Sequence, residues 1–406
     1  MSENIATTEE IRGLFPALRR EYNGHMVAYF DGPGGTQVPD LVTNAMIDYL
    51  HYHNANTHWA YPSSAETDAI LAHARSAFAD FLNCQSNEIV FGHNMTTLTF
   101  HVARALGRSW NRGDEILVTD LDHHANIDPW KDLARERGYV IRSVEFDPKT
   151  GELNLRHLKN LISSRTRLIA VGAASNSLGT INDIKSITNL TRELGIISYI
   201  DGVAYAPHIL CDVQDLDCDL FACSPYKFYG PHAGVLYGRQ KLLDNLDVPR
   251  LKPASSQAPE RLETGTLCHE AIAGAAAAVE FLASLAPVES RRAALEFTYR
   301  TFHQRSHILF EHLWKELCEI DGVTCYGPAP ADARIPTVSF TIRGLTSEEA
   351  CRQLSLCGLF LSHGDFYATT VIEKLGLEGL IRAGISCYTD RAEIDRLIVG
   401  IKKISK

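Results

Sequence analysis

The stretch CSPYKFYGPHAGVLYG, residues 223–238, sets one lysine among three tyrosines and a phenylalanine in a glycine-rich run. Its apolar neighbours read as short strands, CDLFACS (218–224) on one side and AGVLYG (233–238) on the other. A cation between two buried strands is costly unless it is paired or has a task. Lys227 is that cation.

Upstream, short apolar runs alternate with amphipathic ones. EIVFG (88–92), EILVTD (115–120), VIRSVEF (140–146), RLIAVGAAS (167–175) and IISYID (196–201) read as strands. Helices are expected over Thr96–Leu106, Ile127–Arg137 and Ile184–Leu194. This alternation predicts an α/β fold with a mostly parallel sheet covered by helices on both faces. Downstream, residues 271–285 and 291–317 have long helical patterns. TVSFTIRG (337–344), a helix over Ser347–Cys357 and LIRAGISCY (380–388) then suggest a smaller α+β unit. The expected organisation is an N-terminal arm over 1–24, a large α/β domain over 25–270 and a small domain over 271–406.

Composition excludes several classes. The net charge of −10 and the lack of a Lys/Arg-rich stripe argue against a nucleic-acid partner. No apolar run approaches the roughly 20 residues that span a bilayer. The opening MSENIATTEEIRGLF lacks the basic and apolar regions of a signal peptide. A cytoplasmic protein is therefore expected. Its ten cysteines are scattered without a CxxC pair, which reads as reduced core thiols and gives no metal site.

Polar residues cluster just after the predicted strands, at Asp122–His124, Ser175–Asn176, Asp201 and Ser224–Lys227, where open α/β sheets bind ligands. Asp201 alone could simply cap the next element. With Lys227 on the same sheet it suits pyridoxal 5'-phosphate: the lysine forms a Schiff base, and the carboxylate keeps the pyridine nitrogen protonated. In TDLDHHANIDPW (119–130), His123 could stack on such a ring and offer its imidazole for proton transfer, although a solvated turn has the same look. HNMTTLT (93–99) opens a helix whose free N–H groups suit a phosphate, as any capped helix start would.

The segments AYFDGPGGTQVP (28–39), DHHANIDPW (122–130), ASNSLGTINDI (174–184), YIDGVAYAPH (199–208), 212–239, RLETGT (261–266) and IRAGISCYTD (381–390) together resemble the class V aminotransferase superfamily. They are closest to its cysteine desulfurase and selenocysteine lyase branch. The resemblance implies the pyridoxal phosphate-dependent fold type I, with a seven-stranded type of sheet. It makes Lys227 the Schiff-base lysine, Asp201 the partner of the pyridinium nitrogen and His123 the stacking ring. Met95, Thr96, Ser224 and Tyr226 would hold the phosphate. Thr266 would reach it from a second subunit, which implies a homodimer. Asn176 and Arg382 would bind the substrate α-carboxylate.

Three positions depart from the family pattern. Ala204 stands where a glutamine faces the phenolic oxygen, with Tyr205 beside it as a candidate replacement. Tyr226 stands where histidine precedes the lysine. In SHGDFYATT (362–370), Tyr367 falls about where the persulfide-forming cysteine belongs, and the segment has no cysteine. Cys357, ten residues before it, reads as a core thiol. His363, Asp365 and Tyr367 are candidates for lining the substrate pocket, and Trp59 for its entrance. The expected activity is a pyridoxal phosphate-dependent amino-acid lyase that breaks a C–S bond and gives an oxo acid, ammonia and a thiol or sulfide. The alternatives are an aminotransferase or epimerase on the same scaffold and a non-catalytic sulfur-trafficking or assembly protein.

Overall fold

A computed structural model of the chain describes residues 5–406, so the first four residues of the expected arm lie outside the described residues. Seven strands form the main sheet: β1 (Ile89–Gly92), β2 (Glu115–Thr119), β3 (Val140–Val144), β4 (Thr166–Gly172), β5 (Ile197–Asp201), β6 (Leu220–Cys223) and β7 (Gly234–Gly238). Their spatial order is β1-β7-β6-β5-β4-β2-β3. The pairs β2–β3, β2–β4, β4–β5 and β5–β6 are parallel, while β7 runs antiparallel to both β6 and β1. The register sets Gly172 opposite Asp201 and Asp201 opposite Ala222. The carboxyl ends of the central strands therefore finish at one level.

Alternate residues of each strand enter separate cores, as the two-residue period of a strand requires. Leu168 and Ala170 face one side with Val102, Leu133 and Trp130, from α2 (Met95–Leu106) and α3 (Asp128–Arg137). Ile169 and Val171 face the other with Phe78 and Phe81 of α1 (Pro62–Leu82), Ile187 of α4 (Ile184–Leu194) and Ile272 of α5 (His269–Ser284). Helices thus cover both faces.

A second sheet is antiparallel, with β8 (Val323–Tyr326), β9 (Thr337–Ile342), β11 (Leu380–Gly384) and β10 (Ser362–Gly364) in that spatial order. Its core joins Val338, Phe340 and Ile381 to Phe310 and Leu313 of α6 (Arg291–Cys318), Leu354 of α7 (Ser347–Ser355) and Leu397 of α9 (Arg391–Ile404). Cys357 packs against this core. Between β10 and β11 runs the helix α8 (Thr369–Leu375). Buried Arg334 ties the two sheets together. Its guanidinium donates to the carbonyls of Pro328, Leu178 and Thr337 and lies 4.3 Å and 4.6 Å from the rings of Phe310 and Trp314. All ten cysteines are free, and no described helix is long and apolar enough to cross a membrane.

Candidate active site

Lys227 ends a short 3-10 turn, Pro225–Lys227, that begins just beyond β6. The side chain is almost wholly buried, and Nζ donates to the Pro33 carbonyl at 2.7 Å. Burial and the nearby Arg382 charge push its ammonium down to about 7, against the pull of Asp201. Asp201 closes β5, accepting the Val203 N–H on Oδ1 at 2.9 Å. Burial raises its carboxyl to about 6. The Lys227 amine, with its pKa lowered, and a buried carboxyl at the next strand end are thus set on one cavity of about 70 Å³.

The same cavity is lined by Asn94, Met95, Thr96, His123, Asn176, Ala204, Ser224 and Tyr226. Asn94 caps α2 by accepting the Thr97 N–H, and the N–H groups of Met95 and Thr96 have no partner among the described residues. The Ser224 hydroxyl lines the same cavity, so two open N–H groups at a helix start and a hydroxyl suit an anion there. Gly234 makes room for it, since a Cβ there would lie 2.5 Å from the Asn94 carbonyl carbon. Of the glycines in the opening stretch, Gly234 thus admits the Asn94 backbone and Gly230 admits Pro225.

His123 accepts the Ala125 N–H on Nδ1 at 2.9 Å, which leaves its proton on Nε2. Burial, with Lys227 nearby, pushes its imidazole down to about 4, so the ring is neutral. Beside it Asp122 accepts from Thr119 Oγ1, the Gly172 N–H and Asn126 Nδ2. Its carboxyl is raised to about 7 by burial, with Asp201 adding to the rise. Tyr226 lies stacked on His232 with ring centres 4.8 Å apart.

A wider cleft of about 830 Å³ shares Asn94, Thr96, His123, Asn176, Tyr226 and Lys227, and adds Phe366, Tyr367 and Arg382. Arg382, buried on β11, donates from Nε to Ser362 Oγ at 3.1 Å and from Nη1 to the Asn176 carbonyl at 2.8 Å. Nη2 has no partner among the described residues. Asn176 donates Nδ2 to the Phe366 carbonyl at 2.8 Å, while its buried Oδ1 is unpartnered. Arg382 Nη2 is thus the guanidinium nitrogen left without a protein partner beside the cleft.

The chain belongs to the class V aminotransferase family. The model of that family, aminotransferase class-V, matches residues 28–397. A cysteine desulfurase of Pectobacterium carotovorum subsp. carotovorum is 31% identical, with 98% of each chain covered. One from Synechococcus elongatus is 34% identical, over 97% of this chain and 63% of that one. Among solved structures, a cysteine desulfurase from Thermococcus onnurineus NA1 superposes with a TM-score of 0.89 at 27% identity, covering 99% of this chain and 98% of the other. A cysteine desulfurase of Escherichia coli gives 0.86 at 25%, covering 98% of both.

Class V aminotransferases are pyridoxal phosphate enzymes, and the cavity fits that cofactor. The N–H groups of Met95 and Thr96 and the Ser224 hydroxyl could hold its phosphate, Lys227 is a buried amine with a lowered pKa, and Asp201 is a carboxyl without a cationic partner in contact.

Several expected residues lie elsewhere. Thr266 lines a separate cavity of about 560 Å³ with Arg75, Glu263 and His269. Tyr205 does not replace the missing glutamine, because it packs into the core behind the sheet. Trp59 lines neither cavity; it is 63% exposed and its ring meets Tyr61 edge-on. His363 is exposed on β10, and Asp365 turns back to accept the Tyr367 N–H and the Thr369 hydroxyl. Tyr367 does line the cleft, its ring 5.5 Å from that of His123 and 19° from parallel. Phe366, which carried no signal in the sequence, lies over Arg382.

Proposed function

We propose that this chain is a pyridoxal phosphate-dependent amino-acid lyase that breaks the Cβ–S bond of a cysteine-derived substrate. The reading is carried by the convergence of Lys227, Asp201, Ser224 and the Met95–Thr96 N–H pair on one cavity, in a chain alike from end to end to cysteine desulfurases. Bound there, the cofactor supplies an electron sink for a carbanion at the substrate Cα.

The protein does the rest. Arg382 Nη2 takes the substrate carboxylate in a charge-assisted hydrogen bond, while Nε and Nη1 hold the planar guanidinium in place. Lys227 Nζ, whose pKa is lowered to about 7, is poised to take the Cα proton at neutral pH. Asp201 serves as counter-charge to a ring nitrogen, and Met95, Thr96, Ser224 and Tyr226 hold the phosphate. His123, locked neutral, flanks the ring with Nε2–H as a donor. No described residue lining either cavity is a cysteine. In this reading the sulfur leaves as a thiol or sulfide.

The test is to load the purified chain with cofactor and supply cysteine, cystine and cysteine thioethers. Oxo acid, ammonia and thiol or sulfide released together support the lyase. Oxo acid without ammonia would mean transamination, and inversion at Cα without cleavage would mean epimerisation.

The same proposal extends to assembly. Leu41, Ile47, Leu50, Tyr52 and Trp59 are large exposed apolar side chains in the segment that runs toward the Thr266 cavity. They suit a homodimer in which Thr266 reaches the partner's phosphate site, which sedimentation would test. Ten free cysteines suit a reducing, cytosolic compartment.

A further inference from the structure

Phe366 and Tyr367 follow one another with φ of 55° and 56°, left-handed backbone that bulky residues rarely adopt. Three hydrogen bonds hold them there. Asn176 Nδ2 donates to the Phe366 carbonyl at 2.8 Å, His124 N–H to the Tyr367 carbonyl at 2.7 Å, and the Tyr367 N–H to Asp365 at 2.9 Å. The strained pair turns both rings onto the cleft, where Phe100, Ala125 and Pro129 line the wall with them.

An amino acid seated here has three groups to place. With its amine at Lys227 and its carboxylate at Arg382 Nη2, the side chain is left facing this aromatic and apolar wall. Beyond the residues it shares with the cofactor cavity, the cleft extends along Phe100, Pro129, Phe366 and Tyr367, which leaves an apolar wall past the reach of a CH2–SH group. No cysteine waits there to take a sulfur atom.

We infer that the preferred substrate is a cysteine thioether whose apolar or aromatic S-substituent packs against Phe366, Tyr367 and Phe100. The inference rests on the C–S lyase reading above and names its substrate class. The reaction balances without an oxidant. The Cα proton goes to Lys227 Nζ, and the Cβ–S bond breaks with its electron pair leaving on sulfur, which takes up a proton as a thiol. Water then hydrolyses the remaining enamine to pyruvate and ammonia. An aromatic S-substituent has about 150–250 Å² of surface to bury. Pocket discrimination of this kind yields roughly 10- to 200-fold in kcat/KM.

The experiment compares S-benzyl-L-cysteine with L-cysteine on the cofactor-loaded protein, reading pyruvate and thiol or sulfide. The expected result is a kcat/KM at least about tenfold higher for the thioether. Tyr367→Asn, which tolerates a left-handed backbone, and Phe100→Ala should each shrink that ratio through KM. Calorimetry on the cofactor-loaded Lys227→Ala protein should show the thioether binding tighter than cysteine without turnover. Cysteine used as well as the thioether, or a ratio unmoved by both variants, would overturn the inference while leaving the lyase intact. Failure of both compounds to yield pyruvate with thiol or sulfide would instead remove the lyase reading and this inference with it.

Discussion

The guanidinium carbon of Arg382 lies 4.0 Å from the centre of the Phe366 ring. That face is closed, and Nε and Nη1 are already engaged, so Nη2 is the one nitrogen left for a ligand. Arg382→Lys removes the planar fork and the ring contact together. A lost hydrogen bond to a charged group is worth about 1.5–3 kcal/mol. The expected result is a KM for amino-acid substrates raised by one to two orders of magnitude, with a smaller change in kcat, read by steady-state kinetics.

Lys227→Ala removes the amine that receives the cofactor. The parent protein should retain a yellow chromophore through dialysis and fix it covalently on borohydride reduction. The variant should fix none and show no turnover. Equal labelling of the two proteins would place the attachment elsewhere.

The buried carboxyls give the cofactor-free protein a distinctive pH profile. Folded Asp201 holds its proton to about 6 and Asp122 to about 7, whereas both lose it near 3.8 when unfolded. Between these limits the unfolded chain binds fewer protons, so their contribution lowers stability as pH rises from about 4 to about 7. Lys227 acts oppositely: unfolded it keeps its proton toward 10.5, folded it loses it at about 7, so its contribution raises stability across that window. Asp201→Asn should flatten the acid limb, measured by denaturant unfolding at a series of pH values. A variant with the parent's slope from pH 4 to 6 would contradict the assignment.

Gly234→Ala puts a methyl group 2.5 Å from the Asn94 carbonyl carbon, a contact that only a backbone shift relieves. Overpacking of this kind costs about 1–3 kcal/mol. Because Asn94 caps the helix that presents Met95 and Thr96, the shift should also weaken cofactor retention. Thermal unfolding with and without pyridoxal phosphate separates the two effects.

No cysteine lines the cleft, and Cys357 packs against the core of the second sheet. Intact-protein mass spectrometry after turnover without reductant should therefore show no added sulfur atom. An adduct on Cys357 would restore a persulfide route.

Much of the main sheet was legible because its strands are buried on both faces and read as continuous apolar runs. The predicted helix Ile184–Leu194 has the observed bounds. Lys227, Asp201 and His123 were legible for a related reason: charged or titratable groups stand out at the ends of apolar strands, and the structure gathers them. Phe366 and the role of Tyr367 were hidden, since a left-handed pair of aromatics has no pattern of spacing. The task of Asp122 was hidden because it depends on the Gly172 N–H across the sheet. Trp59 shows the converse, an aromatic that looks functional in sequence and lines neither cavity.

Arg334 has a consequence for how the cleft is held. Its guanidinium is shared among carbonyls of Leu178, in the loop that carries Asn176, of Pro328, and of Thr337 in β9 of the sheet that carries Arg382. One buried cation thus joins the loop behind Asn176 to the sheet behind Arg382, so a change at Arg334, remote from the cleft, should be felt in the spacing of the two residues that face it.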